Sequence, residues 1–161
     1  MKEDKNIEHL EKIQIIELLT RYFGAIDDKQ LDKNIVKATF TKDAKMLIPN
    51  GSATIGHDKI FDGHKKSFAR FKVTYHVITD YIIDIRDSIA TLRANLTAMH
   101  LWGDSEETSL LNGKHFLAGA VLSAKAIKVG DNWCISELIN RNIWRTGDGM
   151  TEMANYERPK D

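Results

Sequence analysis

The spacing of apolar residues changes once along the chain, and this change separates a helical part from a part made of strands. Between about residues 7 and 26 apolar side chains recur at steps of three and four, which predicts an amphipathic helix. Similar spacing predicts a short helix over 31–40 and a third helix over 57–70. A short strand is predicted at 44–48, where the turn signal Pro49-Asn50-Gly51 stops it.

From residue 73 onward the apolar period is two, which is typical of strands. Four strands are predicted at 73–85, 90–102, 114–129 and 133–145, with polar breaks between them. Three helices followed by a run of strands indicate an α+β domain. Four long antiparallel strands with the helices on one side would form a curved sheet that can wrap a pocket.

The second long strand has one apolar face, and a histidine lies in it. Its even-numbered residues from 90 to 102 are apolar apart from His100. A hairpin that pairs residues whose numbers sum to 176 turns His76, with Ile78 and Ile82, to the same side as His100. A register that sums to 175 would turn one histidine outwards, and this alternative stays open. A single inward histidine is more often a hydrogen-bonded core residue than a catalyst.

The end of the first helix carries a tyrosine and two acidic residues. Tyr22 lies beside the apolar stripe, so its hydroxyl group needs a partner inside the protein. Asp27 and Asp28 follow it where the helix ends. Considered alone, such a pair more often solvates a helix end than takes part in chemistry. Asp32 is predicted to cap the second helix.

An ordered series of segments resembles the SnoaL-like group of the nuclear transport factor 2-like superfamily. The segments are IIELLTRYFGAIDDKQLD, FTKDAKMLIPNG, IGHDKI, VTYHVITDYIIDIRDSIATLRA and DNWCISELINRNIWRTGDG. The resemblance implies a cone-shaped α+β fold, in which three helices close over a strongly bent, mostly antiparallel sheet with an apolar pocket inside. We predict one such domain over residues 1–149 and a polar tail over 150–161, for which both disorder and a role as a pocket lid stay open.

The dehydratase-like branch of this group implies catalytic roles for four residues. By position, Tyr22 and Asp27 correspond to the tyrosine and aspartate at the end of the first helix of that branch. His76 corresponds to its strand histidine, and His100 to the second polar group on the next strand. Asp27 is preferred to Asp28 because an apolar residue precedes it, as in the family.

Further predictions concern the substrate pocket. Arg141 matches the position of a substrate-facing arginine in some dehydratases. Trp102 is predicted to bind substrate because it shares the apolar face of His100. Val121 stands where many relatives have an aromatic residue, so the pocket is expected to be apolar apart from the proposed set.

This set of groups suits the removal of a proton beside a carbonyl group. A histidine, with an ordinary pKa of about 6.5, can accept that proton at neutral pH. Asp27 could orient the histidine, and Tyr22 could donate a hydrogen bond to the enolate oxygen. We predict a cofactor-free dehydratase or isomerase for a small apolar alicyclic or aromatic carbonyl compound. The alternatives are a non-catalytic binding protein and a structural subunit of a ring-hydroxylating dioxygenase.

Composition narrows the other possibilities. The chain of 161 residues carries 23 basic and 23 acidic side chains, a balance that argues against nucleic-acid or anionic membrane partners. A single cysteine, Cys134, excludes an internal disulfide, and the polar start MKEDKNIEHLEK argues against a secretion signal, so we expect a cytoplasmic protein. His57 and His64 lack the neighbours of a zinc site and are predicted at the surface, so no metal site is expected. The resemblance implies a homodimer or higher homo-oligomer.

Overall fold

The computed structural model describes residues 2–48, 51–104 and 114–149, with side chains described from residue 5. The helices are α1 (Lys2–Asp27), α2 (Lys33–Thr39) and α3 (His57–Phe68). The strands are β1 (Phe40–Leu47), β2 (Ala53–Ile55), β3 (Phe71–Arg86), β4 (Ile89–Trp102), β5 (His115–Val129) and β6 (Asn132–Gly147). All three predicted helices and all four predicted long strands are present. The short strand β2 was not predicted, and the predicted tail, 150–161, lies outside the described residues.

The strands form one sheet in the order β2-β1-β6-β5-β4-β3. Every pairing described is antiparallel except the one between β1 and β6, which is parallel. The three helices and the curled, mostly antiparallel sheet form the predicted cone-shaped α+β fold. No helix of the described part is long and apolar enough to cross a membrane.

The core lies between α1 and the inner face of the sheet. The even-numbered residues of β4 are buried as predicted, and small alanines among them leave space above the sheet. Helix α1 fills part of that space with one apolar face. The buried residues of that face are Ile15, Leu19, Tyr22, Phe23 and Ile26.

The hairpin of β3 and β4 has three successive registers: the paired residue numbers sum to 173 at Phe71, to 174 near the histidines and to 175 from Ile82 onward. None of them is the expected sum of 176, and the alternative sum of 175 occurs only beyond the histidines. Near the histidines the paired residue numbers sum to 174, as in His76 with Ala98, so the two histidines still face the same side. A bulge then shifts the register between Thr79 and Ile82. Asp80 has a positive φ of 55° in this bulge, and its carboxylate accepts hydrogen bonds from Thr79 and Asn95.

The bulge corrects one prediction about the inner face of β3. Because the extra residue reverses the alternation, Ile82 is 60% exposed and does not share the face of His76. Its neighbour Ile83 is buried instead.

The end of α1 is fastened to the start of β3, and this connection holds Asp27 in place. Lys29 has a positive φ of 59° just after the helix. Its ammonium group donates hydrogen bonds to the carbonyl groups of Phe68, at 3.2 Å, and Phe71, at 2.9 Å. The predicted cap of α2 is also present, since Asp32 accepts a hydrogen bond from the backbone of Ile35.

Candidate active site

A cavity of about 240 Å³ lies between the helices and the inner face of the sheet. Its size is just below the usual range for small-molecule sites, which is about 300–1,000 Å³. Apolar side chains from α1, α3 and the long strands make up most of the wall. The polar residues that line it are Thr54, His64, Ser67, Arg70, His76, His100, Asn140, Asn142 and Arg145.

Asp27 and His76 form a hydrogen-bonded pair at the wall of this cavity. Nδ1 of His76 lies 2.6 Å from Oδ1 of Asp27, and the backbone N–H of His76 donates to Oδ2 at 2.8 Å. The hydroxyl group of Thr74 donates a third hydrogen bond to the carboxylate, at 2.7 Å. These contacts fix both the carboxylate and the ring, and Nε2 of His76 has no hydrogen-bond partner among the described residues.

The pKa of Asp27 lies below its ordinary value, so the carboxyl group is ionised at neutral pH. Burial alone would raise this pKa, because it disfavours the charged form. The hydrogen bond and the positive charge of His76 lower it, and so do the hydrogen bonds from Thr74 and from the backbone of His76. An ionised Asp27 accepts the Nδ1 proton of His76 and leaves Nε2 as the proton-accepting nitrogen.

His100 lies beside His76 on the inner face, as expected, but its environment keeps it neutral. Its ring stacks on Phe116, with centroids 4.2 Å apart, and 8% of the residue is exposed. The pKa of His100 is lowered to about 3, mainly by burial and also by the charges of His76, Arg70 and Arg145, whereas the charge of Asp27 opposes the shift. Nδ1 of His100 is buried without a hydrogen-bond partner in the described part of the chain.

Tyr22 is placed differently from the expectation that it contacts substrate. The residue is fully buried, does not line the cavity, and its hydroxyl group is hydrogen-bonded to Nδ1 of His64. Burial raises the pKa of Tyr22 well above its ordinary value, so the hydroxyl group stays protonated. His64 therefore stands between Tyr22 and the cavity.

The prediction that His57 and His64 are surface residues is wrong. His64 lines the cavity, and Nε2 of the partly buried His57 contacts the carbonyl group of Phe40 at 2.9 Å. The signal for His64 was present in the sequence, because Ile60, His64 and Phe68 recur at steps of four on one helix face. A histidine on the apolar face of a helix points inwards.

Neither predicted substrate-binding residue lies at the cavity. Arg141 is exposed on the outer face of β6. A bulge in β6 lies between Asn142 and Trp144, so Asn140, Asn142 and Arg145 face inwards instead. The cavity wall therefore carries polar groups beyond the proposed catalytic set, which corrects the prediction of an otherwise apolar pocket.

Trp102 is the second of these residues, and it belongs to an aromatic cluster beyond the cavity. Its ring packs against Phe71 and Phe116, with centroids 4.9 and 5.7 Å away. Its Nε1–H donates to the backbone carbonyl of Asp148 at 3.1 Å. Trp102 thus supports Phe71 and Phe116, which do line the cavity.

Two further groups were not predicted, although the pattern contained a signal for one of them. Thr74 is two residues before His76 and therefore faces the same side of β3. Arg70 follows α3, and its guanidinium group lies over the rings of Phe71 and Trp102. Nothing in the local spacing indicated that Arg70 lines the cavity.

Several solved structures share this fold. A protein from Kribbella flavida, Kfla4162, superposes with a TM-score of 0.75 and 20% identity, over 86% of this chain and 95% of its own. A protein from Novosphingobium aromaticivorans, provisionally named scytalone dehydratase, superposes with a TM-score of 0.77 and 15% identity, over 91% of this chain and 93% of its own. A hexachlorocyclohexane dehydrochlorinase, LinA-type3 from Novosphingobium barchaimii, superposes with a TM-score of 0.71 and 12% identity, over 93% of this chain and 96% of its own.

At such low identity these similarities establish the fold. No curated protein matches the sequence significantly. The model of the SnoaL-like domain matches residues 8–139, which is most of the chain. The protein therefore belongs to the SnoaL-like domain family, whose members bind small molecules.

Proposed function

We propose that the protein is a lyase or isomerase that removes a proton beside the carbonyl group of a small alicyclic or aromatic compound, using its own side chains as acid and base. The Asp27–His76 pair carries this proposal. A carboxylate that accepts three hydrogen bonds and holds a histidine against an apolar cavity is the arrangement of a general base. A protein that only binds its ligand has no need of it.

In the proposed reaction His76 takes the proton and later returns it. Nε2 of His76 accepts the proton from the carbon next to the carbonyl group, and the electrons of that bond form an enolate. Asp27 stabilises the positive ring that results. The enolate then expels a β-hydroxyl group, which takes the proton back from His76 and leaves as water. Without a leaving group, return of the proton to another carbon moves a double bond.

Two of the structural neighbours support elimination over other chemistry. One is provisionally named a dehydratase, which removes water, and another is a dehydrochlorinase, which removes hydrogen chloride. Both reactions break a C–H bond and expel a group from the adjacent carbon. For this chain the leaving group is proposed to be hydroxide, released as water.

The cavity limits the size of the substrate. At about 240 Å³ it suits a molecule of one or two rings. The apolar wall favours ring carbons, and Asn140 with Arg145 offers polar contacts at one side. Oδ1 of Asn140 is buried without a hydrogen-bond partner in the described part of the chain.

The first experiment measures proton removal without requiring the natural substrate. 1-Tetralone is incubated in D2O, and loss of the C2 proton signal is followed by NMR with wild-type protein, Asp27→Asn and His76→Gln. We expect wild-type protein to accelerate exchange and each variant to lose about 10²–10⁴ of that acceleration. Conversion of 3-hydroxy-1-tetralone to 1-naphthol and water then tests elimination, and conversion of 3-cyclohexen-1-one to 2-cyclohexen-1-one tests isomerisation.

Two results would decide against the enzyme. Binding of 1-tetralone without any exchange supports the ligand-binding alternative. Exchange that is equal in wild type and His76→Gln shows that another base acts, and the assignment of His76 fails.

We also propose that the protein is cytoplasmic and associates with itself. The outer face of the sheet exposes large apolar side chains, among them Tyr75, Val77 and Trp144, which an interface between copies would cover. Light scattering at two concentrations, on wild type and Trp144→Glu, tests the association. A monomer at both concentrations contradicts it.

A further inference from the structure

The contact between Tyr22 and His64 defines the protonation state of a second histidine at the cavity. The hydroxyl group of Tyr22 has no hydrogen-bond partner other than Nδ1 of His64 among the described residues. Its ring is enclosed by Phe23 and Phe40, which contact it edge on. The hydroxyl proton therefore has one acceptor available, and that acceptor is Nδ1.

The alternative arrangement is unfavourable. If the proton of His64 were on Nδ1, it would donate to the tyrosine oxygen, and the tyrosine proton would be buried without an acceptor. An unsatisfied buried donor costs about 1–3 kcal/mol. The favoured tautomer of neutral His64 thus has its proton on Nε2 and its lone pair on Nδ1.

The Nε2 side of His64 is available to a ligand. His64 lines the cavity, and the structure gives Nε2 no hydrogen-bond partner within the described part of the chain. The rings of His64 and His76 both contact Phe68, with centroids 5.4 and 5.7 Å from it. A ring compound in the cavity can thus meet both histidines.

His64 is unsuited to act as a base. The pKa of His64 is lowered to about 4, mainly by burial and also by the charge of a protonated His76. It remains neutral while His76 takes up the proton. A neutral imidazole N–H in a water-poor site can stabilise an enolate oxygen as a fixed hydrogen-bond donor.

We propose that His64 donates a hydrogen bond from Nε2 to the carbonyl oxygen of the substrate, and that Tyr22 is the positioning residue that fixes the His64 tautomer. This inference rests on the proposed function. As His76 removes the proton, the electrons of the broken C–H bond form a carbon–carbon double bond and the carbonyl electrons move to oxygen. The Nε2 proton stays on His64 and stabilises that oxygen.

The tautomer is tested first, without ligand. In ¹⁵N NMR spectra of the wild-type protein at pH 7, we expect His64 Nε2 to be protonated and Nδ1 to be an unprotonated acceptor. In Tyr22→Phe we expect a mixture of tautomers, because the donor to Nδ1 is gone. A protonated Nδ1 in the wild type, or a spectrum that Tyr22→Phe does not change, overturns the role of Tyr22.

The hydrogen bond to substrate is tested with 1-tetralone labelled with ¹³C at the carbonyl carbon. We expect a downfield shift of the bound carbonyl signal in wild type, its loss in His64→Leu, and partial retention in His64→Gln, whose amide can donate from a similar position. Deuterium exchange should fall about 10²–10³-fold in His64→Leu. His57→Gln, on the same helix but outside the cavity, is the matched control and should leave both readouts unchanged.

The outcomes separate this inference from the proposed function. If His64→Leu leaves the carbonyl shift and the exchange rate unchanged while His76→Gln abolishes exchange, His64 is not the donor and the proposed function stands. If His64 shifts the carbonyl signal but wild type catalyses no exchange, the proposed function fails and the His64 contact stands. A wild-type protein that gives no shifted signal at saturating 1-tetralone overturns the His64 contact.

Discussion

The rings of His76 and His100 meet edge to face, with centroids 5.5 Å apart and planes at 89°. They are adjacent in space but differ in chemical state. His76 is paired with an ionised carboxylate, whereas burial lowers the pKa of His100 to about 3. At neutral pH His100 is therefore uncharged, and it lacks the imidazolium proton that a general acid would donate. His76 is therefore the residue that both removes and returns the proton, and His100 can donate a hydrogen bond from its neutral ring.

Replacing Asp27 should abolish most proton removal without unfolding the protein. Asp27→Asn keeps the shape but cannot accept the Nδ1 proton of His76 as a charged partner. We expect deuterium exchange of 1-tetralone to fall about 10²–10⁴-fold. Asp28→Asn is the matched control, because Asp28 is the adjacent, exposed residue and should retain wild-type activity. Equal losses in the two variants would show that the effect is structural.

Removing the hydroxyl group of Thr74 should make Asp27 easier to protonate. The hydrogen bond from Thr74 is one of the contacts that hold the pKa of Asp27 below its ordinary value. In Thr74→Val we therefore expect the Asp27 pKa to rise, as measured by ¹³C NMR of the carboxyl carbon, and exchange activity to fall about tenfold. Thr79→Val, at an exposed position of the same strand, should leave the pKa unchanged. An unchanged Asp27 titration in Thr74→Val contradicts the assigned contact.

The stability of the protein should decrease as the pH falls below 6.5, and His100 should account for part of the decrease. Its pKa is 6.5 in an unfolded chain and about 3 in the folded protein. On acidification, His100 therefore takes up its proton at a higher pH in the unfolded chain than in the folded protein. The contribution of neutral His100 to stability is complete above pH 6.5 and is lost progressively toward pH 3. His64, with a folded pKa of about 4, acts in the same direction. Asp27 adds to the loss only below its ordinary pKa of 3.8.

His100→Phe isolates the contribution of His100. We expect the slope of unfolding free energy against pH to decrease by up to about 1.4 kcal/mol per pH unit between pH 6 and 4.5. At pH 7 the variant should be at least as stable as wild type, because it removes a buried nitrogen without a partner. Urea unfolding at four pH values measures both quantities. A slope equal to that of wild type contradicts the neutral, buried state of His100.

The periodicity of the sequence predicted the elements and one face of the sheet, because these depend on local spacing. The even-numbered face of β4 is buried throughout, and α1 ends where Asp27 can reach β3. The bulge at Asp80 could not be predicted, because a non-glycine residue with positive φ leaves no pattern in the sequence. That bulge reverses the inner and outer faces of β3 beyond it, which is why the prediction for Ile82 is wrong.

The pairing of Tyr22 with His64 was beyond sequence reasoning for another reason. The two residues are 42 positions apart, and their contact depends on how α1 and α3 pack against each other. Local spacing placed Tyr22 beside an apolar face, whereas His64 was predicted at the surface, and neither pattern could place one side chain beside the other. The resemblance to dehydratases identified Tyr22 without its histidine partner.

The two arginines of β6 provide the last prediction, because only one of them lines the cavity. Arg145 lies at the wall beside Asn142, whereas Arg141 is exposed on the other face. Arg145→Met should weaken binding of 1-naphthoate by about 10- to 100-fold, the loss expected for a hydrogen bond to a charged group. Binding of the uncharged 1-naphthamide should change less, and Arg141→Met should change neither affinity. Calorimetric titration of the three proteins with both ligands measures the difference. If Arg141→Met weakens 1-naphthoate binding and Arg145→Met does not, the bulge that turns Arg145 inwards is placed wrongly, and the original prediction for Arg141 is restored.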